Sequence, residues 1–382
     1  METFAHYVVQ PGDTVACIAG RFHMEPEELL KLNPMLPKSG VVPPGLLLRL
    51  AKGDSCTARQ VEPCEEELRK ERAEQPELVA ARAGSERILC PEPDYSYPQL
   101  CRDIALLQRR YPFIRCYDIG ASVMGRRIQA LRIGEGNTAI QINAAFHANE
   151  WITSLLAMAF VERYAHAYAE GELLSGADMR SLYSQTALWV VPMVNPDGVE
   201  LVQAGLCHDH PRYDLLLEMN GGLTDFTGWK ANVNGVDLND QFPAHWEVEV
   251  LRREQPGPGP RDFPGYSPLS EPEAEAMYHF ACSRGFEAVL ALHTQGKEIY
   301  WNYRDYEPED ARERAERLGE ACGYKAVKLE GSDAGYKDWF IQQFGRYGYT
   351  IEAGLGSNPL PIGQFDDIYA EVEKLLVAAL SQ

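Results

Sequence analysis

No run of eighteen apolar residues occurs in this chain, so a helix able to cross a bilayer is excluded. Positive charge is scarce: 36 Lys and Arg stand against 56 Asp and Glu, a formal net charge of −20 at pH 7. Nucleic-acid binding needs a basic footprint, and this balance argues against one. An anionic substrate would need a cationic pocket that is strictly local. The amino terminus, Met1-Glu-Thr-Phe-Ala-His-Tyr7, lacks both a basic start and a long apolar region, so no secretory signal is expected. The nine cysteines form no framework, and Cys17, Cys116, Cys282 and Cys322 fall in segments that read as core. Both points favour a reducing cytosol.

Apolar residues make up 45% of the 382 positions, ample for a large core and for two or three domains. Several apolar runs end in residues suited to metal chemistry. Ala139 to Phe146 runs into His147-Ala-Asn-Glu150, and a His and a Glu three apart can aim a nitrogen and an oxygen at one point. Catalytic zinc commonly takes three protein ligands, and His293, closing the run from Ala288, is the third candidate. Tyr349-Thr-Ile351 runs into Glu352-Ala-Gly354, and Thr186 to Val194 runs into the turn Asn195-Pro-Asp-Gly198. Chance would scatter such residues along the runs. Open α/β sheets bind ligands outside the carboxyl ends of their strands, so the pattern predicts a zinc hydrolase site. Cys207-His208-Asp209-His210 superficially resembles a metal site but reads as a polar loop.

Three segments are expected. Residues 4–50 form a small β-α-α-β module, with a strand at Tyr7-Val-Val9, a helix capped by Thr14, a second opened by Pro26 and a closing strand at Leu46–Leu50. Residues 51–90 read as a charged linker, and 91–382 as the catalytic domain. Ser96 has capping-box spacing ahead of a helix through Leu100, Ile104 and Leu107. Ser270, Glu271 and Glu273 read as the cap and acidic first turn of another helix, with no catalytic role. Apolar runs alternating with helices predict an α/β fold, a mixed and mostly parallel sheet with helices on both faces.

From Tyr95 onward the chain resembles the carboxypeptidase A-like family of zinc metallocarboxypeptidases. The resemblance rests on His147-x-x-Glu150, Asn195-Pro-Asp-Gly198, Gly235-Val-Asp-Leu-Asn239, His293 and Glu352, in that order. It implies one zinc per catalytic domain, held by His147, Glu150 and His293, with Glu352 as general base. The alternative for Glu352 is a supporting carboxylate near the ligands. Lys230, in Trp229-Lys230, falls where the family commonly has an oxyanion-stabilising Arg; its alternative is an ordinary surface lysine. Asn239 and Asp240 are the substrate-binding candidates. Typical digestive members follow that Asn with an Arg that clamps the terminal carboxylate. Asp240 cannot do so; it is either an ammonium receiver or structural.

Trp229-Lys-Ala-Asn232 with Gly235 to Pro243 looks like a bacterial branch, the γ-D-glutamyl-meso-diaminopimelate peptidases, which cut peptidoglycan stem peptides. Residues 4–50 resemble the lysin motif (LysM), which binds N-acetylglucosamine-containing glycan, through Tyr7, Val9, Gly12-Asp13-Thr14, Ile18-Ala19, Phe22, Leu30, Asn33 and Gly45. The Ile-Pro ending common in that motif is replaced by Leu50-Ala51. The expected partners are therefore stem peptides and murein glycan. The expected setting is the cytoplasm, with a sporulating cell or its wall as the alternative. Two other readings stay open, a carboxypeptidase for ordinary peptides and an inactive glycan-binding protein on a peptidase scaffold. The oligomeric state is not legible.

Overall fold

A computed structural model describes residues 5–8, 15, 26–33, 36, 47–50, 87–89, 91 and 95–382. The chain divides into two compact units, Met1–Arg59 and Gln60–Gln382. In the first, β1 (Ala5–Val8) pairs antiparallel with β2 (Leu47–Leu50), Ala5 opposite Leu50. Between them lies α1 (Pro26–Leu32), whose opening proline sits where a missing N–H costs nothing. Val15, Leu29, Leu36 and Leu48 are buried. Buried Asn33 ends the helix by donating its side-chain amide to the Leu29 carbonyl at 3.0 Å. The rest of the helix expected from Thr14, and the linker through residue 86, lie outside the described residues.

The second unit is built on an eight-stranded sheet. After α2 (Tyr97–Arg110) come β3 (Arg115–Ala121), β4 (Arg127–Ile133) and β5 (Thr138–Ala144). Then follow α3 (Ile152–Glu170), the short pair β6 (Leu173–Leu174) and β7 (Ala177–Asp178), α4 (Met179–Gln185) and β8 (Thr186–Val191). Next are α5 (Pro196–Ala204), α6 (Tyr213–Met219), α7 (Trp246–Arg253), α8 (Pro272–Arg284) and β9 (Ala288–His293). The last elements are β10 (Glu298–Tyr300), α9 (Ala311–Cys322), β11 (Lys325–Val327), α10 (Tyr336–Phe344), β12 (Tyr347–Glu352) and α11 (Phe365–Leu380).

The strand order is β11-β10-β12-β9-β5-β8-β4-β3. The central four, β12, β9, β5 and β8, are parallel, and antiparallel strands flank them. This is the expected mixed, mostly parallel sheet. Strands covered on both faces read as continuous apolar runs, which is why β8 and β9 carry almost no polar residue. Leu290 and Leu292 enter the large core shared with α3, α9 and α11. Val289 and Ala291, also buried, turn to the other face. There Gly348 of β12 lets α10 come close: a Cβ would meet Ile341 at 2.8 Å. Gly120 does the same for α8, where a Cβ would lie 2.4 Å from that of Ala276.

Two expectations need correction. The linker ends earlier than residue 90, because Ile88 and Leu89 are buried in the second unit's core. Their backbone N–H groups donate to the buried Glu162 carboxylate of α3, at 3.1 Å for Leu89. And Ser96 occupies the cap position of α2 without a side-chain capping bond; its carbonyl accepts from Leu100 at 3.0 Å.

Removing Ile88 and Leu89 would leave Glu162 buried without these two donors. A chain starting at Pro91 should therefore be less stable than one starting at Ala81 by about 1–3 kcal/mol. Thermal unfolding of the two chains checks this; equal midpoints would contradict it.

Candidate metal centre

The centre starts where β5 ends. Ala145 takes a left-handed backbone, φ 49°, and turns the chain through buried Phe146 to His147. A short helical turn, Ala148–Glu150, then leads into α3. The Thr153 hydroxyl pins both sides of this corner, accepting from the Ala145 N–H at 2.9 Å and donating to the Glu150 carbonyl at 2.7 Å. The third residue arrives on β9, which ends at His293. Phe146 lies parallel to the His293 ring at 6.2 Å.

The Nδ1 atoms of His147 and His293 face each other at 3.2 Å. The Glu150 carboxylate spans both, Oε1 2.9 Å from His147 Nδ1 and Oε2 2.9 Å from His293 Nδ1. All three side chains are buried. Burial pushes the Glu150 carboxyl up, but the two imidazoles overcome this and bring it down to about 2. Burial lowers His147 while Glu150 and Asp237 raise it, to about 9. For His293 burial wins and the shift is downward. Two converging imidazole nitrogens and a carboxylate make an N₂O donor set, which suits zinc. Among the described residues this is the sole cluster of three or more such groups. His210 instead accepts from the Arg212 N–H at 3.1 Å, in keeping with a polar loop.

Asp237 is the residue that sequence reasoning passed over. Its Oδ1 lies 3.2 Å from His147 Nε2 and accepts from the Asn239 N–H at 3.1 Å, while Oδ2 accepts from Lys230 Nζ at 2.6 Å. A carboxylate on the outer nitrogen of a metal-binding imidazole fixes the ring and its tautomer. The signal was present in Gly235-Val-Asp-Leu-Asn239, an Asp between two apolar residues. Asn195 joins the same frame. Its amide donates to the carbonyls of Phe146 (3.3 Å) and Ala231 (3.0 Å), and its Oδ1 accepts from the Gly198 N–H at 3.0 Å. The Asn-Pro-Asp-Gly turn thus ties the two loops that carry His147 and Lys230.

Glu271 and Glu273 do more than open α8. Both are buried, and neither makes the expected cap. The Asn232 amide donates to Glu271 at 2.7 Å and to Glu273 at 3.3 Å, and Asn234 donates to Glu271 at 2.7 Å. They clamp the Lys230–Asp237 loop from behind. Burial, with Glu271 and Asp197 nearby, pushes Glu273 up to about 8.

Glu352 ends β12 directly beside His293 in the parallel register and across from Glu298 of β10. Burial and the Glu150 charge push it up to about 8. Lys230 is mostly buried, with Nζ also 3.3 Å from Asp262 Oδ1, so it is no ordinary surface lysine. Asn239 accepts the Tyr336 N–H on its Oδ1 at 3.2 Å, and its amide N–H groups have no partner among the described residues. Asp240 corrects an expectation. It is buried and paired with Arg253 of α7, whose Nε and Nη2 lie 2.7 and 2.8 Å from its oxygens. It has no open face for a substrate ammonium. Arg261 is exposed, with only a 3.4 Å bond to the Gly228 carbonyl.

Residues 100–374 match the zinc carboxypeptidase family and residues 7–50 match the LysM domain. The chain belongs to the zinc carboxypeptidase family. It is 46% identical over 294 residues to gamma-D-glutamyl-L-diamino acid endopeptidase 1 of Lysinibacillus sphaericus, covering 77% of this chain and 74% of that one. Carboxypeptidase B of Rattus norvegicus is 25% identical over 255 residues, 61% of this chain and 56% of that one. Among solved structures, bovine thrombin-activatable fibrinolysis inhibitor superposes with a TM-score of 0.60 at 20% identity, over 75% of this chain and 96% of that one, and so shares the fold. The protein is a zinc metallopeptidase by family, and the N₂O cluster fits that family's metal.

Two measurements bear on this architecture. Metal analysis should find one zinc per chain; His293→Ala should remove most of it, and Asp237→Asn should weaken affinity about 10–100-fold. Unchanged affinity in Asp237→Asn would contradict the imidazole-holding role. The second concerns Glu273. Its carboxyl titrates near ~4.3 in an unfolded chain but at about 8 when folded. Stability from the retained proton is therefore full below the unfolded value and is lost as pH rises through 8. Glu273→Gln should flatten the fall of the melting temperature over that window, and an unchanged slope would count against it.

Proposed function

We propose that this protein hydrolyses the γ-D-glutamyl-meso-diaminopimelate bond of peptidoglycan stem peptides, while its LysM module holds N-acetylglucosamine-containing glycan. The observation that carries the reading is the 46% identity to an endopeptidase whose name specifies a γ-D-glutamyl-L-diamino acid bond. It extends over 294 residues, and in this chain His147, Glu150 and His293 converge on one point with Glu352 beside His293 in the strand register. The LysM match on the same chain supports a murein substrate. The reading as a carboxypeptidase for ordinary peptides is disfavoured because Asp240 stands where such enzymes carry the carboxylate-clamping Arg.

His147, Glu150 and His293 would hold the zinc, which would supply Lewis-acid polarisation of the scissile carbonyl and a more acidic water. The protein's own groups do the rest. Glu352 takes the proton of the attacking water and passes it to the leaving amine. Lys230 spends two of its three N–H donors on Asp237 and Asp262, leaving one for negative charge developing on the carbonyl oxygen. The Asn239 amide, whose Oδ1 is held by the Tyr336 N–H, supplies a neutral donor for the substrate. Asp237 and Asn195 hold His147 and its loop fixed while charge moves.

Incubation with L-Ala-γ-D-Glu-meso-diaminopimelate and mass spectrometry of the products tests the proposal. Release of diaminopimelate is expected. Glu352→Gln should keep its zinc and lose about 10²–10⁴-fold in turnover. A preference for ordinary peptides ending in an L-aromatic residue would overturn the murein reading.

A further inference from the structure

With Asp240 buried against Arg253, another group near the metal centre has to meet the ammonium of a diamino acid. The cations beside the metal centre are already matched. Lys230 Nζ is 2.6 Å from buried Asp237, and Arg253 is 2.7 and 2.8 Å from buried Asp240. Arg253 is also 2.8 Å from Glu249, which Arg252 shares. Asp262 is the surplus carboxylate. Its Oδ1 makes only the long contacts, 3.3 Å to Lys230 Nζ and 3.6 Å to Arg253 Nη1. Among the described residues its Oδ2 has no hydrogen-bond partner, and the side chain is open to solvent. The side chain is 30% exposed, while those of Asp237 and Asp240 are 0% and 5% exposed.

The backbone holds Asp262 at this spot deliberately. Lys230 and Ala231 donate their N–H groups to the Pro260 carbonyl at 2.9 and 3.0 Å, and the Asp237 N–H donates to the Phe263 carbonyl at 2.8 Å. The loop is therefore fastened on both sides of Asp262 to the residues that support His147. Asp262 itself sits at φ 64°, the left-handed region that Asp tolerates better than most residues. Non-glycine residues kept there by their surroundings cluster at ligand sites.

We infer that Asp262 receives the side-chain ammonium of the diamino acid at the scissile bond, the role that sequence alone offered to Asp240. The inference rests on the proposed function and specifies its substrate contact. Charge decides the sign of the ligand. An incoming ammonium neutralises the surplus carboxylate, whereas an incoming carboxylate would have to displace Asp262 from Lys230 and Arg253. Lys230 links the two sites: the same ammonium touches Asp262 and, through Asp237, the His147 ring.

The test compares L-Ala-γ-D-Glu-L-lysine with L-Ala-γ-D-Glu-L-norleucine, which differ only in the terminal ammonium. The full-length zinc enzyme should favour the lysine peptide in kcat/KM by about ten- to a hundredfold, the range for a hydrogen bond to a charged group. The preference should shrink as salt is added, because the site is partly exposed. In Asp262→Asn and Asp262→Gly, both compatible with the left-handed backbone, the ratio should fall towards one with zinc content retained. A ratio that survives in both variants overturns the inference. So does a wild-type enzyme that cuts both peptides equally well, or a preference for the lysine peptide that rises when Asp262 is removed, which would make Asp262 a placeholder for substrate carboxylate. A wild type that cleaves neither peptide, nor the diaminopimelate peptide, overturns the proposed function and this inference with it.

Discussion

A buried carboxylate must find partners for its charge and its lone pairs, and Asp237 finds them in His147, Lys230 and the backbone of Asn239. That one demand organises the site. It turns His147 so that Nδ1 faces Glu150 and His293. It draws the Lys230 ammonium inward, beside the metal ligands rather than out to solvent. It also fixes the turn from which Asn239 and Asp240 project. Low local dielectric makes each of these contacts stronger and each lost partner more costly, so the loop is held twice over. Asn195 ties it from the front to the Phe146 carbonyl, and Glu271 and Glu273 hold Asn232 from behind.

The sheet explains why such a loop can be placed at all. Four parallel strands, each buried on both faces, end along one edge, and their carboxyl ends deliver His147, Asn195, His293 and Glu352 to neighbouring positions. Glu352 is set beside His293 by strand register alone, with no side-chain contact needed. The register carries a cost. Two carboxylates, Glu352 and Glu298, stand opposite each other across an antiparallel pair, an arrangement that ordinarily destabilises a sheet. The Tyr300 hydroxyl eases it by donating to Glu298 at 2.8 Å.

Much of this was legible before any coordinates. The polar residue ending an apolar run marks a strand's carboxyl end, so His147, Glu150, His293 and Glu352 could be read as one site. The runs themselves gave the sheet class. What escaped was everything set by partners distant in sequence. Asp240 looks like a free acid until Arg253, thirteen positions on, closes over it. Glu271 and Glu273 look like an acidic first turn until Asn232 comes back to them. Ile88 and Leu89 look like the tail of a charged linker because their anchor, Glu162, lies more than seventy residues away. Local patterns report local periodicity and end signals; they carry no information on which buried acid meets which base.

If one metal is held by the Nδ1 atoms of His147 and His293 with Glu150, the surrounding charges follow from it. Anomalous diffraction at the zinc edge on crystals of the zinc-loaded protein tests it most directly. The account predicts a single zinc at about 2.0–2.2 Å from both Nδ1 atoms and a Glu150 oxygen, with Asp237 still on the outer nitrogen of His147. Zinc bound through Nε2 of either histidine, or found instead at Cys207, His208 and His210, would contradict it.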